Sequence, residues 1–471
     1  MNNRKCSHNS CNYEIYDSNK EQKCIFHCSK DDWYSIQNGK KFWNEEKVKE
    51  FWRRIREEKV TKKDYSFLCF VFPKFEKYPN AKQLNLDSKE WELVQGIKNI
   101  ESINTLILDD KIDGINFWRR NSQLVFEKDV YFDGSKFLDG ANFDKIRFEK
   151  KLNFIGCEFY GDVFLRYISF NEDAIFTAVT FNDRVFIYKS ELINSTFTFL
   201  DTKFNSRIVI KNLTNKNSKL NFDYTHFLEN SIVFLSEIEI DYLHIQNLYN
   251  FSENFRITNL KVNNDLKIID TNLNNIEFTN NDFSSIPIIT FKGASFDNVK
   301  FNNIKWGSIN LKRFGSNRDI FRQIKHQYDQ QSNIIDANKF YSAEMNAYKK
   351  EIKNEKWRTH WQDKIIFCLS RISSNFSKNF FLPVFCLFIS SSLFYLISFY
   401  KLDYSKIESF NVFSNHIFST DWKLIFNEIL LYANPFNTKL KGSALLWILH
   451  KSFSTYFIYQ FVVALRRQTK R

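Results

Sequence analysis

Glycine and proline are scarce in this chain. Its 471 residues include only 11 glycines and 5 prolines. Loops that cradle phosphate groups need closely spaced glycines, and neither a GxGxxG nor a GxxxxGK[ST] pattern occurs in the sequence. A nucleophile-elbow pattern is absent as well. These absences argue against the nucleotide chemistry and the hydrolase chemistry that depend on such loops.

The opening residues also lack the apolar run of a secretory signal and read Met1-Asn-Asn-Arg-Lys. The 8 cysteines are scattered rather than evenly spaced, unlike the framework of a disulfide-rich secreted domain. Both observations favour a reducing compartment.

Phenylalanine, by contrast, is abundant, with 52 residues. Large aromatic residues recur in steps of five or six, and the step is most regular at Phe291, Phe296, Phe301 and Trp306. Such a step fits neither the period of a helix nor that of a strand, and a short fixed period of another length is typical of a solenoid. An earlier run of the same kind comprises Phe132, Phe137, Phe143, Phe148, Phe154, Phe159, Phe164, Phe170, Phe176, Phe181 and Phe186.

A smaller apolar residue stands two positions before many of these aromatic residues. The segments Ala294-Ser-Phe-Asp-Asn and Val299-Lys-Phe-Asn-Asn therefore resemble the unit of the pentapeptide-repeat family, as does Ile304-Lys-Trp-Gly-Ser. The resemblance covers residues 126–315. It implies a mainly β fold, a right-handed quadrilateral β-helix in which four pentads make one coil. We predict that the phenylalanine ladder is its core and that the six-residue steps are bulges.

The formal net charge of the chain is +13. Some members of the family that the repeats resemble are acidic rods that imitate duplex DNA. A DNA mimic must be negative along its length, so no DNA mimicry is expected here. A positive charge suits either direct contact with nucleic acid or apposition to an anionic membrane surface.

The N-terminal 32 residues contain closely spaced cysteine and histidine residues. Two pairs of soft ligands can converge on one tetrahedral zinc ion. The head is so polar that it has little apolar core, and a bound metal ion would stabilise it. We therefore predict a structural zinc site, with four ligands and no open catalytic position. The predicted ligands are Cys6, Cys11, Cys24 and His27, with Cys28 or His8 as substitutes.

Residues 33–125 form a mixed α/β region without an assigned domain. Residues 43–59 are rich in charged residues and predict a helix, and the apolar run 67–73 predicts a buried strand. A hydrolase or nuclease seated in the first 125 residues would have to use His8, His27, Asp31 or Asp32. These residues have no recognised catalytic spacing, so we regard the chain as non-enzymatic.

Residues 316–378 predict a helical adaptor. Two stripes of apolar residues at helical spacing indicate an antiparallel pair, followed by an amphipathic helix that either lies at a membrane interface or packs on the end of the solenoid. The pair resembles a helical segment of membrane-bound pentapeptide-repeat proteins of bacteria. Residues similar to members of that motif are Arg318, Arg322, Asp336 and Glu344, whose alternative role is helix pairing and capping.

Residues 379–471 predict a transmembrane domain. The segment 380–400 is free of charge, and 444–465 is apolar except near His450 and Lys451. Basic residues are densest after the second segment, so both termini should be cytoplasmic in a two-span protein of the inner membrane. Lys451 either snorkels to the interface or faces, with His450, a polar path between helices. The connection 401–443 contains a short apolar stretch that could either re-enter the membrane or lie on its outer face.

The sequence thus predicts a zinc head at 1–32, a mixed region at 33–125, a β-helix at 126–315, a helical adaptor at 316–378 and a membrane domain at 379–471. The function it favours is a non-enzymatic scaffold or sensor that contacts the lipid bilayer and an unidentified protein partner. The alternative is a pore-forming channel or membrane effector, which would be a homo-oligomer built from the C-terminal helices. The sequence contains no potassium-filter motif, so potassium selectivity is not expected of such a channel.

Overall fold

The computed structural model describes residues 5–9, 11–16, 21–75, 124–229, 231–250, 252, 254–315, 318–354, 361–376, 379–402, 422–434, 436 and 444–469. The chain divides into two compact units, Met1–Gly315 and Ser316–Arg471. The first holds the strands and the second holds most of the helices.

Short strands make up most of the first unit. In chain order they are β1 (Tyr34–Gln37), β2 (Lys40–Trp43), β3 (Val71–Phe72), β4 (Leu124–Phe126), β5 (Val130–Tyr131), β6 (Lys136–Phe137), β7 (Ala141–Asn142), β8 (Ile146–Phe148), β9 (Leu152–Asn153), β10 (Glu158–Phe159), β11 (Val163–Arg166), β12 (Ser169–Phe170), β13 (Ala174–Thr177), β14 (Thr180–Phe181), β15 (Val185–Tyr188), β16 (Glu191–Ile193), β17 (Thr196–Leu200), β18 (Lys203–Phe204), β19 (Arg207–Lys216), β20 (Lys219–Asp223), β21 (His226–Phe227), β22 (Ile232–Gln246), β23 (Tyr249–Asn250), β24 (Asn254–Thr258), β25 (Lys261–Ile269), β26 (Ile276–Thr279), β27 (Ile288–Lys292) and β28 (Lys300–Asn302).

Helices flank the strands at both ends of the chain. They are α1 (Glu45–Ile55), α2 (Leu311–Phe314), α3 (Arg318–Gln330), α4 (Ile334–Asn354), α5 (Trp361–Ser374), α6 (Phe381–Leu402), α7 (Trp422–Ala433) and α8 (Ala444–Thr469). A 3₁₀ turn at Asp31–Trp33 precedes β1, and a wider turn at Arg56–Val60 extends α1. The predicted helix at 43–59 is therefore present, but it begins at Glu45 and, with the wider turn, ends at Val60.

Strands β3 to β28 form a parallel β-solenoid of about seven coils, whereas β1 and β2 pair with each other as an antiparallel hairpin. Four consecutive strands, β6 to β9, make one coil, and each pairs in parallel with the strand one coil further along. The prediction of a β-helix is confirmed at this level. The right-handed sense of the coil stays a prediction.

The coil is longer than the four pentads that the family resemblance implies. Residues facing each other on neighbouring coils are 22 positions apart in the early coils and between 21 and 25 positions apart further along. The inward rings of one early coil, Phe132, Phe137, Phe143, Phe148 and the next at Phe154, show why. Two sides of the coil advance by five residues and two by six. The six-residue steps are therefore regular sides of the coil, and the prediction that they are bulges is wrong.

Stacked phenylalanine rings fill the early coils of the solenoid, and further along aliphatic side chains such as Leu243, Val262 and Leu266 occupy much of its interior. In one column, successive rings lie between 4.3 and 5.3 Å apart from centroid to centroid. Offset stacking at this distance is favourable, and the rings also remove a large apolar area from water. The predicted ladder is thus the core. This column contains Phe72, Phe137, Phe159, Phe181, Phe204 and Phe227.

The corners of the coils use left-handed backbone, which asparagine tolerates better than most residues. Asn280 and Asn303 both have positive φ and occupy the same corner of successive coils. The amide of Asn303 donates to the side-chain oxygen of Asn280 at 2.8 Å. The asparagine-rich composition therefore has a conformational cause.

Both ends of the solenoid are covered. At the C-terminal end the buried Arg313 of α2 donates to the carbonyl oxygens of Ile286 and Trp306. At the N-terminal end the segment 65–75, which we call the cap segment, lies on the first coil and contributes β3 to the sheet of β6. The predicted strand at 67–73 is thus reduced to Val71–Phe72 and belongs to the solenoid.

In the second unit α3 and α4 form the predicted antiparallel pair, with Phe321 and Tyr328 packed on Phe340. Within the part of the chain that the structure describes, no helix is both long and apolar enough to cross a membrane. The predicted spans at 380–400 and 444–465 are therefore not supported. Polar side chains interrupt both helices, serines 390–392 in the middle of α6 and His450 with Lys451 in the first third of α8.

Two glycines with nearly the same backbone give a test of the coil geometry. Gly156 and Gly307 have φ values of +67° and +68°. A Cβ at Gly156 meets nothing within 4 Å, whereas one at Gly307 would lie 2.9 Å from the Cα of Ser284 on the preceding coil. Both glycines have left-handed backbone, so the strain of placing alanine there is the same at both positions. The contact with Ser284 should therefore make Gly307→Ala destabilise the folded protein by about 1–3 kcal/mol more than Gly156→Ala. Urea unfolding followed by circular dichroism measures the difference, and equal losses would contradict this packing of the corners.

Candidate metal centre

The first pair of candidate ligands is placed by a small knuckle. Lys5 and Glu14 form an antiparallel bridge, and the backbone N–H of Cys6 donates to Tyr13 O at 2.9 Å. Between them the N–H of Cys11 donates to His8 O at 3.1 Å, which tightens the turn. The sulfur atoms of Cys6 and Cys11 are thereby brought to the same side of the knuckle.

The second pair lies on a single turn. The N–H groups of His27 and Cys28 both donate to Cys24 O, at 3.1 and 3.0 Å. The N–H of Cys24 donates to the sulfur of Cys6 at 3.2 Å, so the turn sits directly against the knuckle. Backbone bonds from Ser7 to Gln22 and from Tyr16 to Lys23 hold the two segments together.

The four ligand atoms converge on one point. One sulfur or imidazole nitrogen from each of Cys6, Cys11, Cys24 and His27 lies within 4.8 Å of all the others. Tetrahedral zinc with Zn–S distances of about 2.3 Å would place two sulfurs about 3.8 Å apart and a sulfur and a nitrogen about 3.6 Å apart. The Cys11–Cys24 sulfurs are 3.7 Å apart, and Nδ1 of His27 lies 3.7 and 3.2 Å from the sulfurs of Cys6 and Cys24. These residues could hold a metal ion.

The ring of His27 is oriented by a backbone carbonyl. Its Nε2 lies 3.1 Å from Leu68 O, and since a carbonyl only accepts, Nε2 carries the proton. The lone pair of Nδ1 then faces the sulfurs, as a metal-ligating histidine requires. Burial lowers the pKa of His27 to about 4, although the Leu68 carbonyl opposes the shift. The ring is therefore neutral at pH 7.

The thiols differ in their acidity. Burial raises the pKa of Cys24 strongly and outweighs the hydrogen bonds from the backbone of Phe26 and His27 that lower it. At Cys6 burial also acts to raise the pKa, but the hydrogen bonds from the backbone of Cys24 and His8 prevail and lower it. A metal ion would have to displace the proton of Cys24, so its binding would release protons.

The two substitute ligands point elsewhere. The sulfur of Cys28 lies 3.2 Å from Nζ of Lys30 and faces the carbonyl of Ile25, away from the cluster. His8 stacks on the ring of His27 with centroids 4.1 Å apart, while its Nδ1 lies 3.1 Å from Asn9 O. His8 thus covers one side of the cluster without entering it.

The acids named for an enzymatic reading do not approach the cluster. Asp31 and Asp32 are exposed, and Asp32 forms a salt bridge with Lys47 at 2.7 Å. Sequence reasoning missed Lys30, which is fully buried and donates to Ile25 O and Cys28 O at 2.9 and 2.8 Å. A lysine in a basic chain gives no signal of burial, so this residue could not have been singled out.

The cluster is joined to the cap segment. Besides the contact from His27 to Leu68, the N–H of Val71 donates to Phe26 O at 2.8 Å. The rings of Phe26 and Phe70 stack with centroids 4.7 Å apart and an interplanar angle of 1°. The candidate metal centre is therefore part of the structure that covers the first coil.

The adaptor residues take part in helix pairing and capping. Arg318 lies 3.9 Å from both the carboxylate of Glu344 and the ring of Tyr348, and Arg322 pairs with Asp319 of its own helix. Burial raises the pKa of Glu344, and nearby cations oppose the shift. Asp336 accepts from the side chain of Asn333 at the start of α4. For Arg318, Glu344 and Asp336 these contacts match the alternative role of helix pairing and capping, whereas the ion pair of Arg322 lies within its own helix.

His450 is buried between helices of the second unit. Its ring meets those of Phe394 and Tyr432 edge to face, and its Nε2 lies 3.3 Å from the hydroxyl of Ser454. Lys451 is half-buried, with its Nζ 3.5 Å from Asn434 O. A polar path through these residues stays a prediction.

Comparisons with protein-family models, with curated proteins and with solved structures give no match for this chain.

Proposed function

We propose that this chain is a non-enzymatic scaffold or sensor of the bacterial inner membrane, of the pentapeptide-repeat type. In this proposal a zinc-binding head closes one end of a right-handed β-helix, the β-helix binds a protein partner, and the C-terminal helices bind the lipid bilayer.

One observation supports the proposal that the chain is not an enzyme: the cluster has a complete set of four protein ligands. A catalytic zinc ion keeps an open position for water or substrate, whereas a structural one is closed by protein. Cys6, Cys24 and His27 are also buried, which limits the access of a substrate. Thiolates and a neutral imidazole are the donors that zinc prefers, so zinc is the metal we propose.

The scaffold role is supported by the regular exterior of the solenoid. Oppositely charged side chains face each other on successive coils, as at Lys136 with Glu158 and Lys261 with Glu239. Such a surface presents the same directions coil after coil, held by a stacked core. It suits the recognition of another protein over an extended face.

Membrane binding is supported by apolar side chains that the C-terminal helices expose. Phe385 and Leu393 on α6 are 61% and 55% exposed, and Leu445 on α8 is 68% exposed. Contiguous apolar surface of this kind marks an interaction site, and a lipid bilayer is the partner that a strongly basic chain also attracts electrostatically. If the helices assembled into a pore instead, vesicles would leak.

The first test concerns the metal. Full-length protein purified without chelator should contain about one zinc ion per chain, because one tetrahedral site uses all four ligands. Cys24→Ser should lose nearly all of it, since a serine hydroxyl does not replace a thiolate. Elemental analysis by mass spectrometry gives the content.

Cys28→Ser is the matched control, because Cys28 is equally buried but directed at Lys30. It should keep its zinc. A metal-free wild type, or equal losses in both variants, would refute the assignment.

The second test concerns the membrane. Full-length protein should sediment with vesicles of phosphatidylglycerol and phosphatidylcholine. Leu393→Glu should weaken this binding about tenfold or more, because a charge in an apolar contact with lipid costs a few kcal/mol.

Ile288→Glu serves as the control on the solenoid, since Ile288 and Leu393 are both 55% exposed. It should bind vesicles like wild type. Equal binding by all three proteins would sink the proposed membrane surface. Release of an encapsulated dye from the same vesicles would favour the pore-forming alternative over a scaffold.

A further inference from the structure

We infer that the metal-binding head acts as a releasable cap on the solenoid, and that loss of its metal ion opens the first coil to pairing with the first coil of a second copy of this chain. The inference rests on the proposed zinc site and adds a regulation of that site.

The cap segment is bonded to the first coil as another coil would be. Its residues exchange backbone hydrogen bonds of 2.7–3.0 Å with that coil, including Phe67 N–H to Tyr131 O and Lys136 N–H to Phe70 O. The hydroxyl of Ser135 adds a bond to Phe67 O at 2.7 Å. The ring of Phe72 stacks on Phe137 with centroids 4.6 Å apart. The cap segment therefore satisfies the edge of the first coil along β5 and β6.

The cap segment is held in turn by the turn that carries two of the proposed ligands. His27 contacts Leu68 O, and Phe26, between Cys24 and His27 in sequence, stacks on Phe70 and accepts from Val71 N–H. All three contacts come from two adjacent residues of the turn, Phe26 and His27. Movement of this turn would remove all of them together.

The metal ion supplies the stabilisation that the head lacks because its apolar core is small. Residues 5–30 include a short knuckle and one turn, and a segment of that size is not stable on apolar burial alone. Without the ion, Cys24 and Nδ1 of His27, 3.2 Å apart, would share a single hydrogen bond within the turn, and no metal bonds would tie the turn to Cys6 and Cys11 of the knuckle. The turn would then lose its fixed position, and the cap segment would lose its support from the head.

Release of the cap segment would uncover backbone groups and aromatic rings at the same place. The N–H groups of Tyr131, Lys136 and Leu138 would lose their acceptors, and the rings of Phe132 and Phe137 would lose the layer above them. An uncovered strand edge with apolar neighbours is a template for pairing with another strand.

A second copy is the partner that fits this end. Phe132 already stacks on Phe67 on one side and on Phe154 on the other, at 4.8 Å in both cases. A layer of the same rings at the same spacing is what the uncovered coil accepts. Two identical ends can satisfy each other in an isologous contact, which closes at a dimer.

The experiment uses the full chain with and without its metal. Zinc content, hydrogen exchange and mass by light scattering are measured on the same samples before and after chelation, and again after zinc is restored. Exchange is measured at a protein concentration low enough to keep the chain monomeric. We expect the amides of Tyr131, Lys136 and Leu138 to exchange at least about tenfold faster without metal. The amides of Lys203 and His226, which donate between inner coils, should not change. At higher concentration the mass should double and return when zinc is restored.

Phe72→Ala separates the cap from the metal, because the ring of Phe72 stacks on Phe137 of the first coil, whereas Phe70 is the ring of the cap segment that packs edge to face on the proposed ligand His27. This variant should keep its zinc yet show the faster exchange of the first coil, whereas Phe42→Ala, which removes a ring that is 53% exposed on β2, should not. Metal loss without a change in exchange would overturn the inference. So would faster exchange with a mass that stays monomeric. A wild type that binds no zinc would instead refute the metal site itself, and this inference with it.

Discussion

The fold depends on one constraint, which is that every coil of a solenoid must be covered by another layer. The backbone groups of a parallel strand point along the solenoid axis, so each coil leaves donors and acceptors that the next coil must satisfy. Inside the solenoid the next coil does this at a spacing that also stacks the phenylalanine rings. At the ends the chain has to supply something else.

The two ends are covered in different ways. At the C-terminal end a single buried guanidinium, that of Arg313, reaches the carbonyl oxygens of Ile286 and Trp306 from a short helix. At the N-terminal end the cover is the cap segment, which continues the ring columns through Phe67 and Phe72 and is supported by α1, where Phe51 and Trp52 pack on Phe72. The head with the candidate metal centre then lies on the cap segment. Its cysteines and histidine stand where a larger domain would place more apolar residues.

The features that could be predicted from the sequence are local motifs and short repeats. The features that could not be predicted depend on contacts between residues far apart in the chain. The ring spacing identified the solenoid because inward residues of a coil recur at short fixed intervals. The four ligands could be named because each pair is close in sequence. The length of the coil could not be read, since the alternation of five and six residues resembles an irregular five. The cap segment was also missed, because its partner β6 lies more than sixty residues further along. Leu68 acts through its backbone carbonyl, which leaves no mark in the sequence.

The position of the metal centre suits a switch for a physical reason. An inner coil is held on both sides by hydrogen bonds and stacked rings, so opening it would break two layers at once, whereas the cap segment is bonded to the solenoid on one side only. Solenoid stability is a sum of contacts between neighbours, and the terminal unit is therefore the one that opens at the lowest cost. A ligand can shift an equilibrium only by the difference in its affinity for the two states. A metal ion would bind the closed head and would find no assembled site in the open head, so its affinity for the two states would differ. This difference would act on the terminal unit, which is the unit that opens at the lowest cost in free energy.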